Sequence, residues 1–178
     1  YGPEALSIKK ISEELAISRT SFNYHFESKQ DFMEELIQHH YGLNAQFCAT
    51  GKVHCKKYLP DLHQLLLLFP EGLKFHKQLF NHRHIAIYNE AFLKCNEISS
   101  NAFVIRLFIE YFQLTLGFED TTELHDSLIE TWYSRLDTNN LCLEKLVASS
   151  EQIMSSLLVL IKNTTSLTSK IPHTFYLN

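Results

Sequence analysis

Helical periodicity runs through this chain almost without interruption, and only five glycines and four prolines stand among its 178 residues. Such scarcity disfavours a turn-rich β-sandwich and leaves an all-α fold as the expectation. At this length a chain buries roughly 70% of its unfolded surface, so a self-sufficient core is expected. The thirteen phenylalanines and eight tyrosines have to be housed in that core or around a cavity.

Local signals divide the helices. Ser7 is placed to cap a short helix with Ile8, Ile11 and Leu15 at helical spacing. Ala16 and Ile17 make a turn, and Ser18 caps a second helix with Phe22 and Phe26 on one side. Ser28, with Asp31 three residues on, opens a third, carried by Phe32, Leu36, Ile37, His40 and Phe47 toward Gly51. Beyond it we expect helices over about 56–69 (stopping near Pro70), 72–97, 101–117 (ending at Gly117), 121–136 and 140–163, with little helical pattern from Thr164 to Asn178.

Several function classes drop out. The longest apolar run, Leu65 to Phe69, is too short for a bilayer, which takes about 20 residues. No basic-then-apolar signal segment opens the chain, so a membrane partner is not expected. Cys48, Cys55, Cys95 and Cys142 have no metal-type spacing and read as free thiols in a reducing cytoplasm. His82 and His84, two apart on the expected helix 72–97, point in different directions, and His39–His40 likewise. No metal and no cofactor is expected. There is no G-x-S-x-G, H-E-x-x-H or phosphate-cradling glycine loop, so no enzymatic site is expected.

Two short helices joined by a tight turn form a helix-turn-helix, whose first helix braces while the second lies in the major groove. Pattern alone fits equally two small helices of a larger bundle. The stretch Ser7 to Phe32, above all Tyr24-His25-Phe26, Ser28-Lys29 and Phe32, resembles the DNA-binding signature of the tetracycline-repressor (TetR) family, and Gly2 to Ser7 resembles that family's loop from its first helix into its second. The first residue is Tyr1, and the family's first helix with its basic arm is missing from this sequence. Thr20 stands where a small residue is common and Asn23 where an aromatic is.

The resemblance implies a helix-turn-helix DNA-binding domain over residues 1–48 and a helical ligand-binding and dimerisation domain over 49–178. It also assigns roles. Ser18 caps the recognition helix near phosphate. Arg19, Thr20 and Asn23 face base edges, Asn23 being a good partner for adenine. Tyr24, His25, Lys29 and Lys9 meet phosphates. Charge weighs against this: residues 1–48 hold Lys9, Lys10, Arg19 and Lys29 against Glu4, Glu13, Glu14, Glu27, Asp31, Glu34 and Glu35, within a net charge of −4.

In the larger part, Phe80, His84 and Tyr88 recur every four residues, and Phe108, Tyr111 and Phe112 follow on the next helix. These rings line either a pocket or ordinary core. Trp132, Leu146, Ile153, Leu157 and Leu160 form either a dimer seam or an intrasubunit core. The expected function is a ligand-responsive, cytoplasmic transcriptional repressor. It binds palindromic double-stranded operator DNA as a homodimer and answers to a small apolar or aromatic effector. The alternative is a helical interaction module whose helix-turn-helix no longer binds DNA.

Overall fold

The computed structural model describes residues 7–168, of which 160–168 by backbone alone. Its order is α1 (Ile8–Glu14), α2 (Arg19–His25), α3 (Lys29–His54), α4 (His63–Leu68), α5 (Pro70–Asn81), α6 (Ala86–Ser99), α7 (Ile105–Phe112), α8 (Phe118–Arg135) and α9 (Leu143–Thr168), with π-turns at Tyr58–Leu62 and Ser100–Val104. No strand occurs among the described residues, and the chain is all-α. Two compact units divide it, Tyr1–Thr115 and Leu116–Asn178. The division expected at residue 48 falls inside α3.

The three serine caps form as their spacing predicts. Ser7 Oγ accepts from the Lys10 amide at 3.2 Å, Ser18 Oγ from Ser21 at 2.9 Å and Ser28 Oγ from Asp31 at 3.1 Å. Each satisfies one of the amides that a helix start leaves without a partner. The Asp31 carboxylate reaches back to the Glu27 amide at 2.9 Å, a capping-box relation moved one residue outward.

Three expected elements need correction. The single helix over 72–97 is two, α5 and α6, folded against one another across His82–Ile85. Neither Gly nor Pro marks the break; the gain is ring burial, with His76 stacked on Phe92 at 4.7 Å and Phe80 against Phe92 at 5.5 Å. His82 and His84 consequently lie off any helix, ring centroids 5.9 Å apart. The helix expected over 101–117 ends at Phe112, where Gln113 turns left-handed (φ 53°). Gly117 starts α8 instead of ending α7, its carbonyl accepting from the Thr121 amide at 3.0 Å and hydroxyl at 2.8 Å. Finally α9 continues past 163 to Thr168, and the rest of the tail lies outside the described residues.

Unit 1 is built around α3. Its Gly51 meets the buried Phe103 ring so closely that an added Cβ would overlap the ring. Phe103 is braced in turn by Phe47 at 5.7 Å. Gly51→Ala is therefore expected to destabilise by about 1–2 kcal/mol, overpacking outweighing Ala's better helix propensity. A urea midpoint equal to the parent's, at equal slope, would contradict this. In unit 2, α8 packs on α9, burying Leu128, Trp132, Leu146, Ile153 and Met154. The Trp132 indole N–H points at the Leu146 carbonyl, 3.5 Å away.

Candidate nucleic-acid interface

The tight turn between α1 and α2 is held by backbone bonds from Ala16 to Glu13 (3.2 Å) and from Ile17 to Ser12 (2.9 Å), with Ala16 left-handed at φ 53°. α1 packs on α2. Below α2 the fully buried Phe22 ring lies 5.1 Å from Phe26 and 5.5 Å from Phe32 at the start of α3, and Phe26 and Phe32 close the trio at 5.0 Å. The three rings fix α2 against the head of α3.

The opposite face of α2 is open. Ser18, Arg19, Thr20, Asn23, Tyr24 and His25 are all exposed, Tyr24 at 85%, and Lys29 is half-buried. Arg19 and Asn23 lie four apart, as do Thr20 and Tyr24, so each pair is stacked along the helix surface. The Tyr24 and His25 rings meet edge to face at 5.1 Å. A tyrosine this exposed contributes nothing to the core, and its hydroxyl and its neighbour's imidazole stay available to an outside partner.

Charge position offsets the acidic sum. The α2 helix, Arg19 to His25, contains no acid. Glu13 lies 3.8 Å from Lys9 in an exposed pair, Asp31 is engaged by the Glu27 amide, and Glu34 accepts from Gln30 at 2.8 Å. Among the described residues up to Cys48 the acids sit on α1, on α3 and, as the exposed Glu27, in the link after α2, leaving α2 itself with a single sign of charge.

The other candidate residues are more dispersed. Phe108, Tyr111 and Phe112 gather around the buried Tyr58 at 5.2, 6.4 and 5.9 Å. Phe80 lies against Phe92, beneath the Arg83 guanidinium at 4.3 Å. Tyr88 is buried and His84 exposed. Trp132, Leu146 and Ile153 are buried inside unit 2, Leu157 is half-buried, and the Leu160 side chain lies outside the described residues.

Sequence spacing gave no sign of one cluster, because its members come from three helices. His40 (α3), His76 (α5) and Cys95 (α6) are buried, with their ligand-type atoms all within 4.8 Å of one another. Burial, reinforced by His39, lowers His40 to about 4. Burial, with His40 beside it and Asn96 opposing, lowers His76 to about 3. Burial, with Cys48 adding to it, pushes the Cys95 thiol up to about 12.

Among the described residues no helix is long and apolar enough to cross a membrane. No curated protein and no solved structure matches the chain. The family model of bacterial regulatory proteins, tetR family, matches residues 1–36, the segment that holds the capped α1–turn–α2 pair and the head of α3. Over residues 1–36 the chain thus carries the N-terminal DNA-binding module of the TetR-family transcription regulators.

Proposed function

We propose that this regulator is a ligand-responsive, cytoplasmic repressor that holds a palindromic operator as a homodimer and catalyses no reaction. The observation carrying the reading is the open, acid-free face of α2 opposite its buried aromatic anchor. Arg19, Thr20 and Asn23 read base edges in the major groove. Ser18, Tyr24, His25, Lys29 and Lys9 meet the phosphates, which set register without reading sequence. We place the boundary between DNA-binding and regulatory parts at residue 48, along α3.

One helix-turn-helix covers few base pairs, so two copies reading half-sites about 34 Å apart are needed. We place the seam on α8 and α9. The outer face of α9 is rich in small residues (Ala148, Ser155 and Ser156 are exposed) and leaves Val159 57% exposed. The buried Trp132, Leu146 and Ile153 and the half-buried Leu157 support that face from behind. An apolar or aromatic effector is read by Phe80, His84, Tyr88, Phe108, Tyr111 and Phe112. Whatever factor the effector takes from operator affinity, DNA takes from effector affinity.

Lys29→Ala should weaken binding to every duplex and lower the salt slope by about one unit. Asn23→Ala should instead remove about 1–3 kcal/mol of discrimination at a single base step. Anisotropy titrations on operator and random duplexes across a salt series check both. If both variants bind like the parent, α2 is a docking face for another protein.

A further inference from the structure

We propose that His40, His76 and Cys95 form a binding site for a soft monovalent metal ion of the copper(I) class, placed inside unit 1 and apart from the DNA-reading face. All three residues are buried, and their ligand-type atoms lie within 4.8 Å of one another.

The hydrogen bonds around the cluster already orient it. His76 Nε2 lies 3.0 Å from Asn96 Oδ1, an oxygen that only accepts, so this nitrogen carries the ring proton. His76 Nδ1 therefore turns its lone pair toward His40 Nε2, 3.0 Å away, which donates to it. An outer partner fixing the tautomer of a ligating imidazole is the usual companion of a metal site. The donation also leaves His40 Nδ1 as a buried nitrogen with no hydrogen-bond partner. Asn44 on α3 donates to the Cys95 carbonyl at 3.3 Å and ties that residue to the His40 helix.

Geometry and charge together select the ion. With metal–nitrogen and metal–sulfur bonds of about 2.0 and 2.3 Å, a trigonal site separates its ligand atoms by roughly 3.5–3.7 Å. The existing separations, 3.0 Å between the two nitrogens and at most 4.8 Å elsewhere, reach that with side-chain shifts of about 1 Å. The cluster contains no carboxylate. One thiolate with a divalent ion would leave a net positive charge in a buried site, whereas with a monovalent ion it leaves none. Thiolate and imidazole are both accepted by copper, and thiolate selects its monovalent state. The surroundings are aromatic: Phe92 stacks on His76 at 4.7 Å, and Phe75 lies 5.1 Å from His40. On binding, the ion takes the place of the proton between the rings. The His40 proton moves to Nδ1, the Cys95 thiol proton leaves to solvent, and no oxidation state changes.

Anaerobic titration of the full chain with copper(I), in competition with a chromogenic copper(I) chelator, tests the site. The expected result is one ion per chain, held more than 100-fold more weakly after Cys95→Ser or His76→Gln and unchanged after Cys142→Ser. X-ray absorption on the loaded parent should show two nitrogens and one sulfur, a readout that stands even if a variant fails to fold. Uptake no stronger than that of Cys95→Ser, a shell of sulfur alone, or preference for zinc(II) in the same competition would overturn the proposal. None of these outcomes bears on the reading of α2.

Discussion

Phe22→Ala is expected to cost about 3–5 kcal/mol, the range for removing a fully buried aromatic ring. Phe22 is 0% exposed, and the rings of Phe26 and Phe32 close over it from α2's end and α3's start. The two rings that flank it are already held against each other at 5.0 Å and cannot both swing in to fill the space. The loss is local in origin and wide in consequence. With the ring gone, α2 keeps its Ser18 cap but loses what sets its angle to α3, so binding to every duplex should fall together. Phe22→Leu, retaining most of the apolar volume, should recover the larger part of the stability. Urea unfolding followed by circular dichroism measures both variants. A loss below about 1 kcal/mol for Phe22→Ala would mean that the aromatic trio is not what anchors the helix.

Acid should be the second large effect. His63 is 2% exposed, and burial lowers it from its ordinary value of 6.5 to about 4, a backbone bond at Tyr58 opposing slightly. The folded pKa lies below the unfolded one, so between pH 6.5 and 4 the unfolded chain binds more protons. Stability is then complete above pH 6.5 and falls as the solution is acidified through that window. The loss reaches about 1.4 kcal/mol per pH unit for one imidazole. At pH 5 His63 alone should remove about 2 kcal/mol. In the metal-free chain His40 and His76 act in the same direction, their values also lowered chiefly by burial. Urea midpoints at pH 7.5, 6.0 and 5.0 should therefore descend steeply. A flat profile would mean that these imidazoles reach water in the folded state.

What the sequence made legible was whatever is decided within a few residues. Ser7, Ser18 and Ser28 announce their helices because each hydroxyl meets an amide three residues on, and no other part of the chain need be in place. The turn between α1 and α2 and the burial of Phe22 follow from the same short stretch. The break between α5 and α6 stayed hidden because no Gly or Pro causes it. It forms because Phe92 can then cover His76 and Phe80, a gain that exists only once the chain has folded back. Gly117 misled for a related reason: glycine suits a helix end, yet its φ of −61° is ordinary, and Gln113 supplies the left-handed turn instead. The His40–His76–Cys95 cluster is the extreme case, assembled from three helices that no spacing rule connects. The exposed residues of α2 were legible as a set; whether they touch base or phosphate depends on a partner that is no part of the chain.

The most direct measurement is a map of amide chemical shifts as the chain is titrated with a duplex it has itself enriched from a random pool. If α2 enters the groove, the largest changes fall on Ser18 through His25 and on Lys29, with the buried Phe92 and Phe108 unmoved. Changes confined to other helices while Ser18 to His25 stay still, or a pool from which no duplex is enriched, would contradict the account.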